Sequence, residues 1–107
     1  MNVAKGLKIA GASAVVAVTL AAALYALIMW EGSSVPYHTH PGDEAGYVVR
    51  GTLILKTRGQ PDRILNAGDS FFNPRGAVHS LAAVSSDGAA ASAWIIDKGA
   101  PLATPAP

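Results

Sequence analysis

The chain changes texture at Gly32. From Ile9 to Trp30 there is no charged residue, so no polar face can be drawn on that stretch. After Gly32, short β-type runs alternate with turn residues: Val35–His40, Ala45–Arg50, Thr52–Thr57, Arg63–Ala67, Phe71–Asn73, Val78–Val84 and Ala90–Ile96. Gly51, Gly68 and Gly76 punctuate them at turns that call for unusual φ, and Pro41–Glu44 reads as a turn. Pro36 places its run at a strand start or sheet edge. About seven short strands with turns between them predict an all-β jelly-roll sandwich or barrel, and Leu24–Trp30 would make an eighth. Residues 99–107, rich in proline, read as an extended or loose tail.

The apolar N-terminal run has an export logic. Lys5 and Lys8 form a basic head before it. In one reading Ile9–Leu20 is the hydrophobic part of a signal peptide, and Ala21–Ala23 supply the small residues for cleavage after Ala23. In the other, Ile9–Trp30 is one membrane helix about 33 Å long, enough to span a bilayer. A buried soluble helix is the third possibility. The barrel decides between them. If Leu24–Trp30 is a strand, the helical signal or anchor shrinks to residues 1–23 and the barrel runs over 24–98. A helix running to Trp30 would leave a sheet edge open. The export readings place the chain in the periplasm or outside the cell, its N-terminal segment engaging membrane or export machinery.

Composition narrows the function classes. Net charge is +1 over 107 residues, and from Leu24 onward there are six basic and seven acidic residues, so no basic surface asks for nucleic acid. With no cysteine, disulfides, thiolate metal sites and cysteine nucleophiles are excluded. A small β domain has a thin core, which predicts a homodimer.

The chemistry gathers on few residues. His38 and His40 stand two apart in a strand and so share a face. A Pro41–Gly42 turn could return Glu44 to the same point, and His79 lies farther along the chain. These three histidines are all that the chain contains. Imidazole and carboxylate together suit a divalent first-row metal.

At this point the sequence resembles the cupin family, in its small single-domain bacterial form. The first cupin motif is met by Gly32, five residues, His38-Thr39-His40, three residues, Glu44, six residues and Gly51. The second is met by Gly68, five residues, Pro74-Arg75-Gly76, two residues and His79. Ala83 stands where the motif has Asn. The resemblance covers Gly32 to about Ile96. It implies a jelly-roll (double-stranded β-helix) barrel holding one divalent metal, Fe, Mn, Ni or Zn, on His38, His40, Glu44 and His79. Ala83 removes a polar support near His79 but no ligand. The resemblance also implies an open metal position for a small-molecule substrate or ligand, with dioxygenase, decarboxylase or isomerase chemistry. Alternatives are a metal-dependent binding or sensing module and a structural metal barrel. The last is disfavoured because structural sites favour closed, thiolate-rich ligand sets.

The remaining polar and aromatic residues carry plainer expectations. Tyr37 should point away from the ligands by strand alternation. Tyr47, Phe71 and Phe72 are expected in the core. Arg75 is expected to be a solvated loop residue rather than an anion receptor. Ser80 is no nucleophile, since no histidine is left to serve as its base.

Overall fold

The fold is described by a computed structural model over residues 8–9, 12–13, 20–29, 32–84 and 88–107. Its strands are β1 (Lys8–Ile9), β2 (Ala12–Ser13), β3 (Leu20–Met29), β4 (Ser34–Thr39), β5 (Gly42–Arg50), β6 (Thr52–Thr57), β7 (Arg63–Asn66), β8 (Ser70–Asn73), β9 (His79–Ala83), β10 (Gly88–Asp97) and β11 (Thr104–Pro105). Two antiparallel sheets form the barrel, one ordered β3-β10-β5-β8 and the other β11-β4-β9-β6-β7. The seven runs read after Gly32 all appear as strands. Among the described residues, β1 and β2 pair with each other.

Strand alternation decides what lies between the sheets. Along β5 the inward residues are Gly42, Glu44, Gly46 and Val48, while Asp43, Ala45, Tyr47 and Val49 face out. Val48, Leu53, Leu55, Leu65, Phe71, Leu81, Ala83 and Ala90 form one buried cluster. Burying a side chain such as Leu53 or Leu65 in full is worth about 1.5–3 kcal/mol. Gly46 is required there, because a Cβ on it would run into the Phe71 ring. The turn glycines behave as expected: Gly51, Gly68 and Gly76 have φ of 77°, 94° and 77°.

Four expectations change. First, Pro41–Glu44 is not a turn. β5 starts at Gly42, so Glu44 is a strand residue facing inward. Gly42 permits this because a Cβ there would strike the Ile95 backbone, to which β5 pairs. Second, the tail is not loose. Thr104 and Pro105 pair with Thr39 and His38, and the Ala106 amide donates to the Tyr37 carbonyl at 3.0 Å. Third, Tyr47 and Phe72 are outside the core at 50% and 57% exposure, because alternation buries their neighbours Val48 and Phe71 instead.

The fourth concerns the N-terminal segment. Within residues 1–23, the described stretches Lys8–Ile9, Ala12–Ser13 and Leu20–Ala23 are extended rather than helical. No helix among the described residues is long and apolar enough to cross a membrane. The rest of 1–23 lies outside the described residues, as does Trp30. The strand foreseen at Leu24–Trp30 exists but begins at Leu20, pairing along its length with β10 from Leu20↔Asp97 to Met29↔Gly88. Pairing with β10 overrides any helical preference of its alanines and leucines. Cleavage after Ala23 would therefore remove Leu20–Ala23, the partners of Trp94–Asp97.

Candidate metal centre

The centre bridges the two sheets. His38 on β4 and His79 on β9 are direct register partners on one sheet. Trp94, Glu44 and Asn73 are register partners across β10, β5 and β8 on the other. His40 lies in the short connection from β4 to β5. The three imidazoles are mutually close, with ring centroids 4.4–5.0 Å apart, and their ligand atoms all lie within 4.8 Å of one another. His40, Glu44 and His79 are buried at 6%, 6% and 3% exposure. The sequence motif thus brings together in space what it sets out along the chain.

Hydrogen bonding fixes which nitrogen of each ring is available. His38 Nδ1 lies 2.6 Å from the Pro36 carbonyl, His40 Nδ1 2.7 Å from the Leu102 carbonyl and His79 Nδ1 2.9 Å from the Ala77 carbonyl. A carbonyl oxygen only accepts, so each Nδ1 carries the proton and donates. In the neutral ring, each Nε2 is left with a lone pair. Two of these bonds are local: His38 and His79 each reach the carbonyl two residues earlier. Around His38 a bulge helps, since the β4–β9 register shifts between Val35 and His38, where Pro36 has no N–H to give the ladder. The third bond spans 62 residues, to a tail that sequence reading left loose.

The available atoms are crowded. His38 Nε2 is 3.2 Å from His40 Nε2, and Glu44 Oε1 is 3.3 Å from the Nε2 atoms of both His40 and His79. Lone pairs at such distances repel unless a proton or metal cation lies among them. The donor set therefore fits a divalent cation, with the Nδ1 partners in the orienting role common around metal-bound histidines. Asn73 and Ser92 donate to Glu44, the former at 2.8 Å on Oε1. Neither residue was singled out from the sequence. Asn73 could have been found from its place just before Pro74, inward on a strand beside that of Glu44.

Protonation in the metal-free state follows the same contacts. Burial pushes the Glu44 carboxyl up, but a proton taken up by the facing Nε2 atoms of His40 and His79, with hydrogen bonds from Asn73 and Ser92, outweighs it and holds the group well below the usual carboxylate range. Burial also pushes His40 down, yet its bonds to Glu44 and the Leu102 carbonyl leave it raised. His38 is lowered, chiefly by burial, against the opposing bond to Pro36.

A cavity of about 510 Å³ opens onto this cluster. Besides the histidines, Glu44, Asn73 and Ser92, its wall is apolar or aromatic, including Leu55, Phe71, Leu81 and Trp94. Tyr37, expected to point away, also contributes to the wall, and the Arg58 guanidinium sits 5.0 Å from its ring centroid. The bulge beside it breaks simple alternation. Arg75 is a surface residue in a fixed ion pair, its guanidinium 2.8 Å and 3.0 Å from the Asp97 carboxylate. Ala83 is core, and its backbone pairs with Gly32 and Ser33.

Residues 26–96 match a family described as cupin domain. The chain belongs to the cupin family. Over 58 residues this cupin is 34% identical to dimethylsulfoniopropionate lyase DddQ of Ruegeria pomeroyi, a match covering 54% of this chain and 29% of that protein. The crystal structure of DddQ is similar at a TM-score of 0.70 and 28% identity, over 83% of this chain and 44% of that one. The chain thus spans less than half the length of DddQ. A cupin-like protein of Thermotoga maritima gives a TM-score of 0.71 at 27% identity, covering 79% of this chain and 64% of that one. KdgF from Halomonas sp. gives 0.67 at 26%, covering 78% and 76%.

Proposed function

We propose that this cupin is a metalloenzyme holding one divalent metal on His38, His40, Glu44 and His79, and that it acts as a lyase on a small organic monoanion. The observation that carries the metal is the common orientation of the imidazoles: three Nδ1–H groups tied to carbonyls, three Nε2 atoms turned to one point beside a carboxylate oxygen. When bound, the metal would supply Lewis acidity to an oxygen of the substrate.

The chain's own residues set the rest. Glu44 and three neutral imidazoles leave a divalent metal with one uncompensated positive charge. No lysine or arginine among the described residues lines the cavity. One carboxylate is therefore balanced, while a second would sit desolvated and unpaired, at a cost of several kcal/mol. The apolar wall receives the remainder of the molecule and excludes water. Among the described residues, Tyr37 is the one titratable lining residue outside the proposed ligand set, so it is the group assigned to move the substrate proton. Lyase chemistry is favoured over the dioxygenase and isomerase readings by the similarity to DddQ, whose name states that activity.

A non-catalytic binding module is the competing reading, supported by the few polar side chains in the cavity. A purely structural metal barrel fits less well, because the cavity reaches the ligands. A homodimer is supported by Tyr47, Phe72 and Ile95, apolar residues exposed on the outward face of the four-stranded sheet. An extracytoplasmic location rests on Lys5 and Lys8 preceding the uncharged run.

The test is elemental analysis of protein purified without chelator, followed by product assay over small monocarboxylates bearing a β-leaving group. Stoichiometric metal with turnover supports the enzyme. Metal and ligand binding without turnover selects the binding module, and no metal after reconstitution defeats both.

A further inference from the structure

The end of β10 and the segment after it repeatedly touch β4, which carries His38, and the connection that carries His40. The Asp97 amide donates to the Pro41 carbonyl at 3.1 Å, and the Asp97 carboxylate holds Arg75. Leu102 offers its carbonyl to His40 Nδ1. Thr104 and Pro105 then pair with Thr39 and His38, and Ala106 bonds to Tyr37. Ala103 and Pro105, two apart and thus on one face, both line the cavity.

We infer that residues 98–106 are a positioning strap for the metal centre, with the Leu102 carbonyl as the group that sets the tautomer and orientation of His40. This rests on the metal reading above. The reason is specific to His40. His38 and His79 take their Nδ1 partners locally, two residues back along the chain, from Pro36 on β4 and from Ala77 just before β9. His40 lies past the end of β4, and its Nδ1 partner is Leu102, in the segment that leads into β11. Without the strap that ring can turn or change tautomer, withdrawing one Nε2 from the cluster. The same segment supplies cavity wall, so ligand binding and metal geometry are linked through it.

The experiment uses the full chain, labelled with ¹⁵N-histidine and freed of metal. At a pH high enough for His40 to have lost its second proton, it is expected in the unsubstituted protein as the Nδ1–H tautomer. Ala106→Pro deletes the amide that ties the strap to Tyr37. It should give His40 an exchanging mixture of tautomers while His38 and His79 stay unchanged. Zn(II) affinity, read by competition with a chromophoric chelator, should fall about 10- to 100-fold, as for loss of an orienting partner. An unsubstituted His40 in the Nε2–H form overturns the inference, and needs no variant. So does Ala106→Pro with unchanged tautomer or unchanged affinity. Failure of the unsubstituted protein to bind Zn(II) at all would instead strike the metal reading.

Discussion

Asn73 donates its side-chain N–H to Glu44 Oε1 at 2.8 Å from the directly opposed position on the neighbouring strand. The amide is 2% exposed. It holds the carboxylate beside the Nε2 atoms of His40 and His79. Asn73→Leu, of similar volume, should keep the fold but leave Glu44 less fixed. Metal affinity is expected to fall about tenfold or more, measured by chelator competition. An Asn73→Leu protein with unchanged affinity would show that Ser92 alone suffices to hold Glu44.

The ligand set predicts a graded series. His79→Ala should abolish stoichiometric metal. Glu44→Gln, which keeps an oxygen but removes the charge, should weaken binding rather than eliminate it. Elemental analysis after dialysis against a single divalent metal separates these outcomes. Full metal content in His79→Ala would mean that the cluster is a proton-sharing network rather than a ligand set.

How much of this centre was legible beforehand depends on what kind of contact is asked for. His38 and His40 could be paired because strand alternation is local, Glu44 and His79 joined them through the spacing of the two cupin motifs, and the structure brings all four together. Seven strands could be found because alternation and turn residues are local signals. What could not be read were contacts created by sheet registry. Asn73 meets Glu44 only because β8 pairs with β5 in one register. Leu102 meets His40 across 62 residues of chain, from a segment whose prolines suggest loose structure. Leu20–Ala23 belong to a strand because β10 is long enough to pair with them, while their composition suits a helix equally well. Tyr37 reaches the cavity wall beside a bulge, and a bulge shifts the period on which the opposite expectation rested.

Acid should expose the role of Glu44 in the metal-free protein. Its carboxyl titrates lower in the folded state than unfolded. The group therefore contributes stability that is fully present above its unfolded value of about 4.3 and lost as pH falls below it. Urea midpoints of metal-free protein should drop between pH 5.5 and 3 more steeply than those of Glu44→Gln. Parallel drops would show that other carboxylates dominate. Metal binding runs the other way around His40. Its raised proton affinity must be overcome by the metal, so affinity should climb as pH rises through the range just above 6.5.

Tyr37→Phe separates catalysis from binding. The change removes only a hydroxyl from the cavity wall and leaves the Arg58 contact with the ring possible. If Tyr37 moves the substrate proton, kcat should fall about 10²- to 10⁴-fold, with metal content and Tm unchanged. A loss confined to KM would instead make it a wall residue, and the proton transfer would then need another group.

The packing around Gly46 gives a prediction independent of the metal. A Cβ at this position would enter the Phe71 ring, and Phe71 sits in the buried cluster with Val48 and Leu55. Gly46→Val cannot be relieved by a small rotation, because the clash lies at the ring itself and both strands are held in register, Gly46 opposite Phe71. Overpacking of this kind costs about 1–3 kcal/mol or more. Phe71→Leu should recover part of that cost in the double variant, since it withdraws the ring while keeping an apolar filler. Alone, Phe71→Leu should destabilise by leaving a partial void. Urea denaturation of the two single variants and the double variant forms a cycle. A coupling near zero would mean that the sheets move apart around Gly46, and that the close β5–β8 approach does not constrain the barrel.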